Sequence, residues 1–162
     1  MPEKNRGANQ ERRVDKSKRE LVDRLKEGQA LGEPCDQLTS LFDAMDEKVC
    51  VSDPVTYEIL YANPAMKRVF GENVQGEKCH KVMQGLDEPC DFCTNGMIFG
   101  ENLGKTHIWE FRNRKTGKWS RCLDRAIRWP DGRMVRFEMA ISIHDRKKVE
   151  EALQTSEERF RS

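Results

Sequence analysis

From Thr106 to Ile143 the chain is three stretches of strand-forming character joined by two tight turns, and few folds accommodate that order. "THIWEFRNR" places His107, Trp109 and Phe111 on one face, and the turn "KTGK" leads into "WSRCLDRAIRW". A second turn, "PDG", precedes "RMVRFEMAISI". There Val135, Phe137, Met139, Ile141 and Ile143 alternate with Arg136, Glu138, Ala140 and Ser142. A period of two belongs to a strand with one buried and one more polar face. Turns this short join antiparallel neighbours.

The remaining segments fit around that core. "KVCVSD", the turn "PVTYE" and "ILYAN" read as two more strands. "PAMKRVFG" reads as a short helix, with Pro64 tolerated in its first turn and Gly71 closing it. "GMIFGENL" is expected to be another helix. Near the end Val149, Leu153, Ser156 and Phe160 fall at spacings of four, three and four, the seam of a two-stranded coiled coil with one weak position. The expectation is an α+β fold: one five-stranded antiparallel sheet, covered on one face by short helices, with flanking helices at both ends.

The expected boundaries follow from the same patterns. Residues 1–12 have no apolar period and are expected to be a disordered tail. Residues 13–35 read as a helical linker, with Val14, Leu21, Val22 and Leu25 on one face. Residues 36–146 form the sheet-bearing domain. Residues 147–162 form an exit helix that "ERFRS" leaves without a cap, so a following domain is expected beyond it.

Charge and hydropathy remove several classes of function. Lys plus Arg number 29 and Asp plus Glu 28, for a net charge of +1, which makes no electrostatic case for nucleic acid. No apolar run approaches the ~18–20 residues of a membrane span, and no signal-peptide core is present, so a cytoplasmic setting is expected. Thiols stay reduced in that compartment. The 6 cysteines therefore argue against a disulfide framework and raise metal or redox chemistry. Burial as small apolar side chains is the competing reading.

"YANPAMKRVFG", "RKTGKW", "WPDGR", "IHDRKKVEEAL" and "SEERFRS", in this order, resemble the PAS (sensory box) family over roughly Asp36 to Ser162. The Cys-rich insertion is similar to that of a subgroup found in anaerobe-type sensors. The resemblance implies a sensory module of a bacterial multidomain signalling protein. It would detect a small-molecule, metal or redox signal and pass it through the C-terminal helix to a histidine-kinase or cyclic-dinucleotide output domain in the same chain. It implies a homodimer through the flanking helices and no catalysis in this segment. One departure stands out. Where the family commonly ends its last strand with Asp-Ile-Thr, this chain has Ser142, Ile143 and His144. The signal exit is expected at Ser142, His144, Asp145 and Arg146, without the usual Asp contact.

Candidate sensing residues fall in two groups. His107, Trp109, Phe111, Val135, Phe137 and Met139 are candidates for a ligand pocket, or simply for core. The flavin-photoreceptor cysteine context is absent. "GMIFGENL" lacks the haem-binding histidine of oxygen-sensing relatives, and Cys93 is followed by Thr94 rather than by the histidine of a Cys-x-x-Cys-His covalent haem motif. Haem and flavin are therefore not expected. The second group is "CHKVMQGLDEPCDFC", with Cys79, Cys90 and Cys93. Cys90 and Cys93 have the Cys-x-x-Cys spacing that lets two thiolates meet one tetrahedral ion. Zinc and an iron–sulfur cluster both suit such ligands, with Cys122 or Cys50 as an uncertain fourth. His80 is a poor one, because helix neighbours point ~100° apart. Alternatively Cys93, at the N-terminus of a following helix, is a reactive thiol with Cys90 as its resolving partner. In the third reading the cysteines are inert packing. The functions in competition are the sensory module, a ligand-free structural dimerisation spacer, and a small Cys-x-x-Cys redox enzyme. The last is disfavoured by the antiparallel hairpins, since that motif belongs beside a βαβ unit.

Overall fold

The computed structural model describes residues 39–161. The expectations for residues 1–38, with the tail, the linker and Cys35, lie outside them. The chain divides into two compact units, 1–42 and 43–162. Of the first, residues 39–42 are described and are helical. All that follows concerns the second.

Its elements are β1 (Lys48–Ser52), β2 (Ile59–Ala62), α1 (Pro64–Phe70), α2 (Cys79–Gln84), α3 (Asn95–Ile98), a 3₁₀ turn (Gly100–Asn102), β3 (Thr106–Arg112), β4 (Trp119–Arg128), β5 (Met134–Ser142) and α4 (His144–Arg161). The strands form one antiparallel sheet in the order β2-β1-β5-β4-β3. This is the expected α+β, five-stranded architecture.

The turns follow from their side chains. In the β3–β4 hairpin Asn113 Oδ1 accepts from the amides of Lys115 (3.0 Å) and Thr116 (2.8 Å), while Gly117 takes φ +68°. An Asn that bonds its own following backbone and a glycine in the left-handed region are what a tight turn requires. Gly132 does the same at φ +92° between β4 and β5. The β3–β4 turn also grips α2: Asn113 Nδ2 donates to Met83 O (2.9 Å) and Lys115 Nζ to Val82 O (3.1 Å).

Asn63 joins β1 to α1. Fully buried, its Oδ1 accepts from Met66 N, capping α1, and from Val49 N on β1, each at 3.0 Å; its Nδ2 donates to Glu47 O at 2.9 Å. Pro64 occupies the first helical position, where a missing N–H costs nothing. The core under the helices packs Met66 of α1 and Cys79 and Met83 of α2 against Cys50, Ile59 and Ala62 of the sheet.

Two local expectations change. The single helix expected at "GMIFGENL" is two short pieces, because Phe99 is extended (φ −104°, ψ 177°) and Gly100 takes φ +64°. Inside the Cys-rich stretch lies a helix, α2, which buries Cys79, His80 and Met83.

Candidate functional site

Cross-strand partners share a face of a sheet, and successive residues alternate. The pairs Trp109↔Cys122 and Cys122↔Ala140 put the aromatic row of β3 on the helix-covered face. His107↔Asp124, Asp124↔Glu138 and Glu138↔Cys50 extend that face through β4, β5 and β1. The pleat then sends Val135, Phe137 and Met139 to the opposite face. The structure thus splits the expected pocket set: His107, Trp109 and Phe111 face the helices, and the three β5 residues do not. It is the polar row of β5, Arg136 and Glu138, that turns inward. Period two divides a strand into two rows but does not say which row meets the helices.

A cavity of about 30 Å³ lies on this inner face, room for about one water-sized molecule. Helix α2 contributes Cys79, His80 and Met83, the following loop Cys90, Phe92 and Cys93, and the sheet Trp109, Phe111, Cys122, Arg136 and Glu138. All four cysteines singled out in the sequence meet here, though Cys122 is 29 residues from Cys93. His107 is not on its wall; its ring lies 6.3 Å from that of Trp109.

The loop is seated by Phe92, whose ring lies 4.7 Å from Phe111 and 6.2 Å from Trp109. Arg114 lies over that ring at 4.7 Å and pairs with Asp91 at 2.9 Å. Within the loop Cys93 N donates to Cys90 O at 3.1 Å, so the two cysteines bracket one turn.

Behind the thiols is a buried charge network. Asp124, with no exposed surface, accepts from Thr94 Oγ1 and Trp109 Nε1, both at 2.7 Å, and lies 3.4 Å from Arg136 Nη2. The same Nη2 donates to Glu138. Such charges survive burial because they are paired. Burial pushes the Glu138 carboxyl up to about 7; Arg136 opposes this and Asp124 adds to it. Two polar atoms around the cavity are left over. Arg136 Nε and His80 Nδ1 are buried without a hydrogen-bond partner. The His80 ring lies edge-on to Tyr57 at 5.6 Å, and Tyr57, in the β1–β2 turn, takes a left-handed φ of +62°.

The thiols are not uniform. Cys79 and Cys122 are buried, Cys90 and Cys93 half-buried, and none of the described cysteines is paired. Burial pushes Cys79 up to about 11 and raises Cys90 and Cys122 as well. The helix expected to activate Cys93 has only four residues, and its cap Thr94 turns its hydroxyl to Asp124. A dipole that short contributes little. Among the described residues no three His, Cys, Asp or Glu side chains are placed to hold a metal ion. The spacing alone carries the zinc or iron–sulfur expectation.

At the signal exit the geometry adds residues that the sequence did not single out. Glu110 projects from β3 to the outer face and takes both Arg146 and Lys147 of α4, the latter at 2.9 Å. Lys147 Nζ also lies 5.2 Å over the Trp119 ring, and Ile143 N donates to Trp119 O at 3.1 Å. Of the expected exit residues, Arg146 makes this link; Ser142 and Asp145 are exposed, and His144 is half-buried. An acidic residue alternating outward among inward aromatics was the available signal.

A five-stranded antiparallel sheet in this order, with short helices over one face and a helix leaving the last strand, is the arrangement of a PAS-type fold. Residues 36–104 match the PAS domain family. Two solved structures share the fold. An RNA-binding light-oxygen-voltage receptor aligns with a TM-score of 0.56 at 19% identity, over 76% of this chain and 37% of its own. The PAS domain of an HTR-like protein from Haloarcula marismortui aligns at 0.52 and 16% identity, over 68% of this chain and 98% of its own. The chain thus spans little more than a third of the receptor's length. No curated protein matches. The chain carries a PAS domain.

Proposed function

We propose that this PAS domain reads the redox state of the Cys90–Cys93 pair and passes it through α4 to an output domain, of histidine-kinase or cyclic-dinucleotide type, in a longer cytoplasmic protein. The observation that carries this is the seating of the pair on β3. Phe92, between the two cysteines, stacks on Phe111 and Trp109. These flank Glu110, which holds α4 from the other face.

The chemistry needs little movement. A β-turn brings its first and fourth Cα atoms within about 7 Å, and a disulfide spans about 4.4–6.8 Å. Closing Cys90 onto Cys93 therefore tightens an existing turn, and the displaced Phe92 ring loads β3. The Glu110 ion pairs are exposed, and such pairs are individually weak and screened by salt. A small shift of β3 is enough to redistribute them. Cys79 and Cys122, more deeply buried, are packing residues in this scheme.

Downstream, Val149, Leu153 and Phe160 are exposed on α4. Two copies of the chain joined in parallel along this seam would convert the shift into a change of coiled-coil register. Hydrogen exchange on reduced and oxidised protein tests the scheme. Exchange is expected to change in β3 and the first turns of α4. A Cys90–Cys93 disulfide that leaves both unaltered would overturn the coupling.

A further inference from the structure

The cavity is small, lined by thiols, and contains two polar groups that the fold leaves unsatisfied. Arg136 is 9% exposed and His80 6%, yet Arg136 Nε and His80 Nδ1 have no partner. Buried polar atoms are nearly always satisfied, so exceptions of this kind point to an absent partner. Glu138 and Asp124 both engage Nη2 and fix the guanidinium of a residue that lines the cavity, leaving Nε unpaired. Tyr57 fixes the His80 ring. The site is prearranged.

We propose that this cavity binds a small hydroperoxide, hydrogen peroxide in particular, which oxidises Cys93 on the way to the Cys90–Cys93 disulfide. The inference rests on the redox reading above and names the oxidant. Size is the first argument: a space of about 30 Å³ suits a molecule of one or two heavy atoms. Polarity is the second. A peroxide accepts a hydrogen bond from Arg136 Nε–H and donates one to His80 Nδ1, whereas an apolar diatomic gas would leave both unsatisfied.

The third argument is the reaction itself. The Cys93 sulfur attacks the nearer peroxide oxygen, the O–O bond breaks, and the departing hydroxide takes up the thiol proton as water. Cys93 is left as a sulfenic acid. The Cys90 thiol then attacks that sulfur, the S–S bond forms, the S–O bond breaks, and a second water leaves. Two thiols lose two electrons to one peroxide. Arg136, close enough to Cys93 for their charges to interact, stabilises both the developing thiolate and the leaving hydroxide.

The test compares two oxidants on fully reduced protein, each followed by alkylation and mass spectrometry. Diamide is too bulky for the cavity but reaches the half-buried pair from outside. With hydrogen peroxide, Arg136→Lys and His80→Gln are each expected to slow disulfide formation at least ~10-fold, the scale of one lost transition-state hydrogen bond. Their diamide rates are expected to fall by much less, because diamide needs the thiolate and not the bound peroxide. In Cys90→Ser a sulfenic-acid trap is expected to mark residue 93. If Arg136→Lys does not fold, His80→Gln decides. Unchanged peroxide rates in the variants, or equal slowing with both oxidants, would overturn the peroxide site while leaving the redox reading intact. Failure of both oxidants to produce the disulfide would overturn both, whereas a disulfide formed with diamide and not with peroxide would overturn the peroxide site alone.

Discussion

Glu138→Gln is expected to remove a pH dependence of stability that the parent protein shows between about pH 4.5 and 7. The Glu138 carboxyl is lifted from 4.5 to about 7 in the folded protein, first by burial, with Arg136 opposing and Asp124 adding. Its side chain is 15% exposed, so little solvent screening applies. A raised carboxyl pKa means that the folded state holds a proton the unfolded state has lost. Folding is therefore favoured below the unfolded pKa, and that contribution fades as pH rises through the folded one. At 1.36 kcal/mol per pH unit, the shift corresponds to ~3 kcal/mol, reduced to about 2–3 by sharing with Asp124. Urea unfolding of reduced protein between about pH 5 and pH 8 measures it. The parent is expected to lose about 2–3 kcal/mol over that range relative to the Gln variant. Gln keeps an acceptor for Arg136 but does not titrate. Asp53, lowered chiefly by the Thr56 backbone amide, acts in the opposite sense, losing its contribution as pH falls below 3.8. The two windows do not overlap. Parallel stability curves for parent and variant would refute the buried, proton-holding Glu138.

Three further outcomes follow from named contacts. Asn63→Ala leaves the Val49 and Met66 amides without their shared acceptor and is expected to lower stability by about 2–3 kcal/mol in urea unfolding. Trp109→Phe keeps the ring stack but removes a donor from Asp124; about 1–3 kcal/mol should be lost by the same measure. Glu110→Gln removes the ion pairs that tie Arg146 and Lys147 to β3, leaving those to Glu150 within α4. It should speed hydrogen exchange in the first turns of α4 without shifting the β5 amides, and the difference should shrink as salt is added.

The strands, hairpins and exit helix were legible because each rests on local chemistry. Asn113 and Gly117 make their turn wherever they stand, and alternation in β5 is visible in eleven letters. Asn63 with Pro64 likewise marks a helix start on any reading. What was not legible is register. The more apolar row of β5 was the natural candidate for the pocket. Only the pairing of Asp124 with Glu138 shows that the charged row lies under the helices, tolerated because Arg136 pairs with Asp124 and Glu138 while burial favours a proton on Glu138. Helix α2 was hidden by the cysteine pattern that begins in it, although Cys79 and Met83 stand four apart and Gly85 closes it. The gathering of Cys122 with Cys79, Cys90 and Cys93 depends on a long-range sheet, which the Cys-x-x-Cys spacing cannot report. The link from Glu110 to α4 is of the same kind, a contact between residues 36 apart.

The most direct test of thiol sensing is a redox titration of the protein, with differential alkylation and mass spectrometry assigning each cysteine across the range. The result expected is a single two-electron transition in which Cys90 and Cys93 become linked while Cys79 and Cys122 stay reduced. Cysteines that are all alkylated after oxidation, or a bridge that bypasses the Cys90–Cys93 turn, would contradict it.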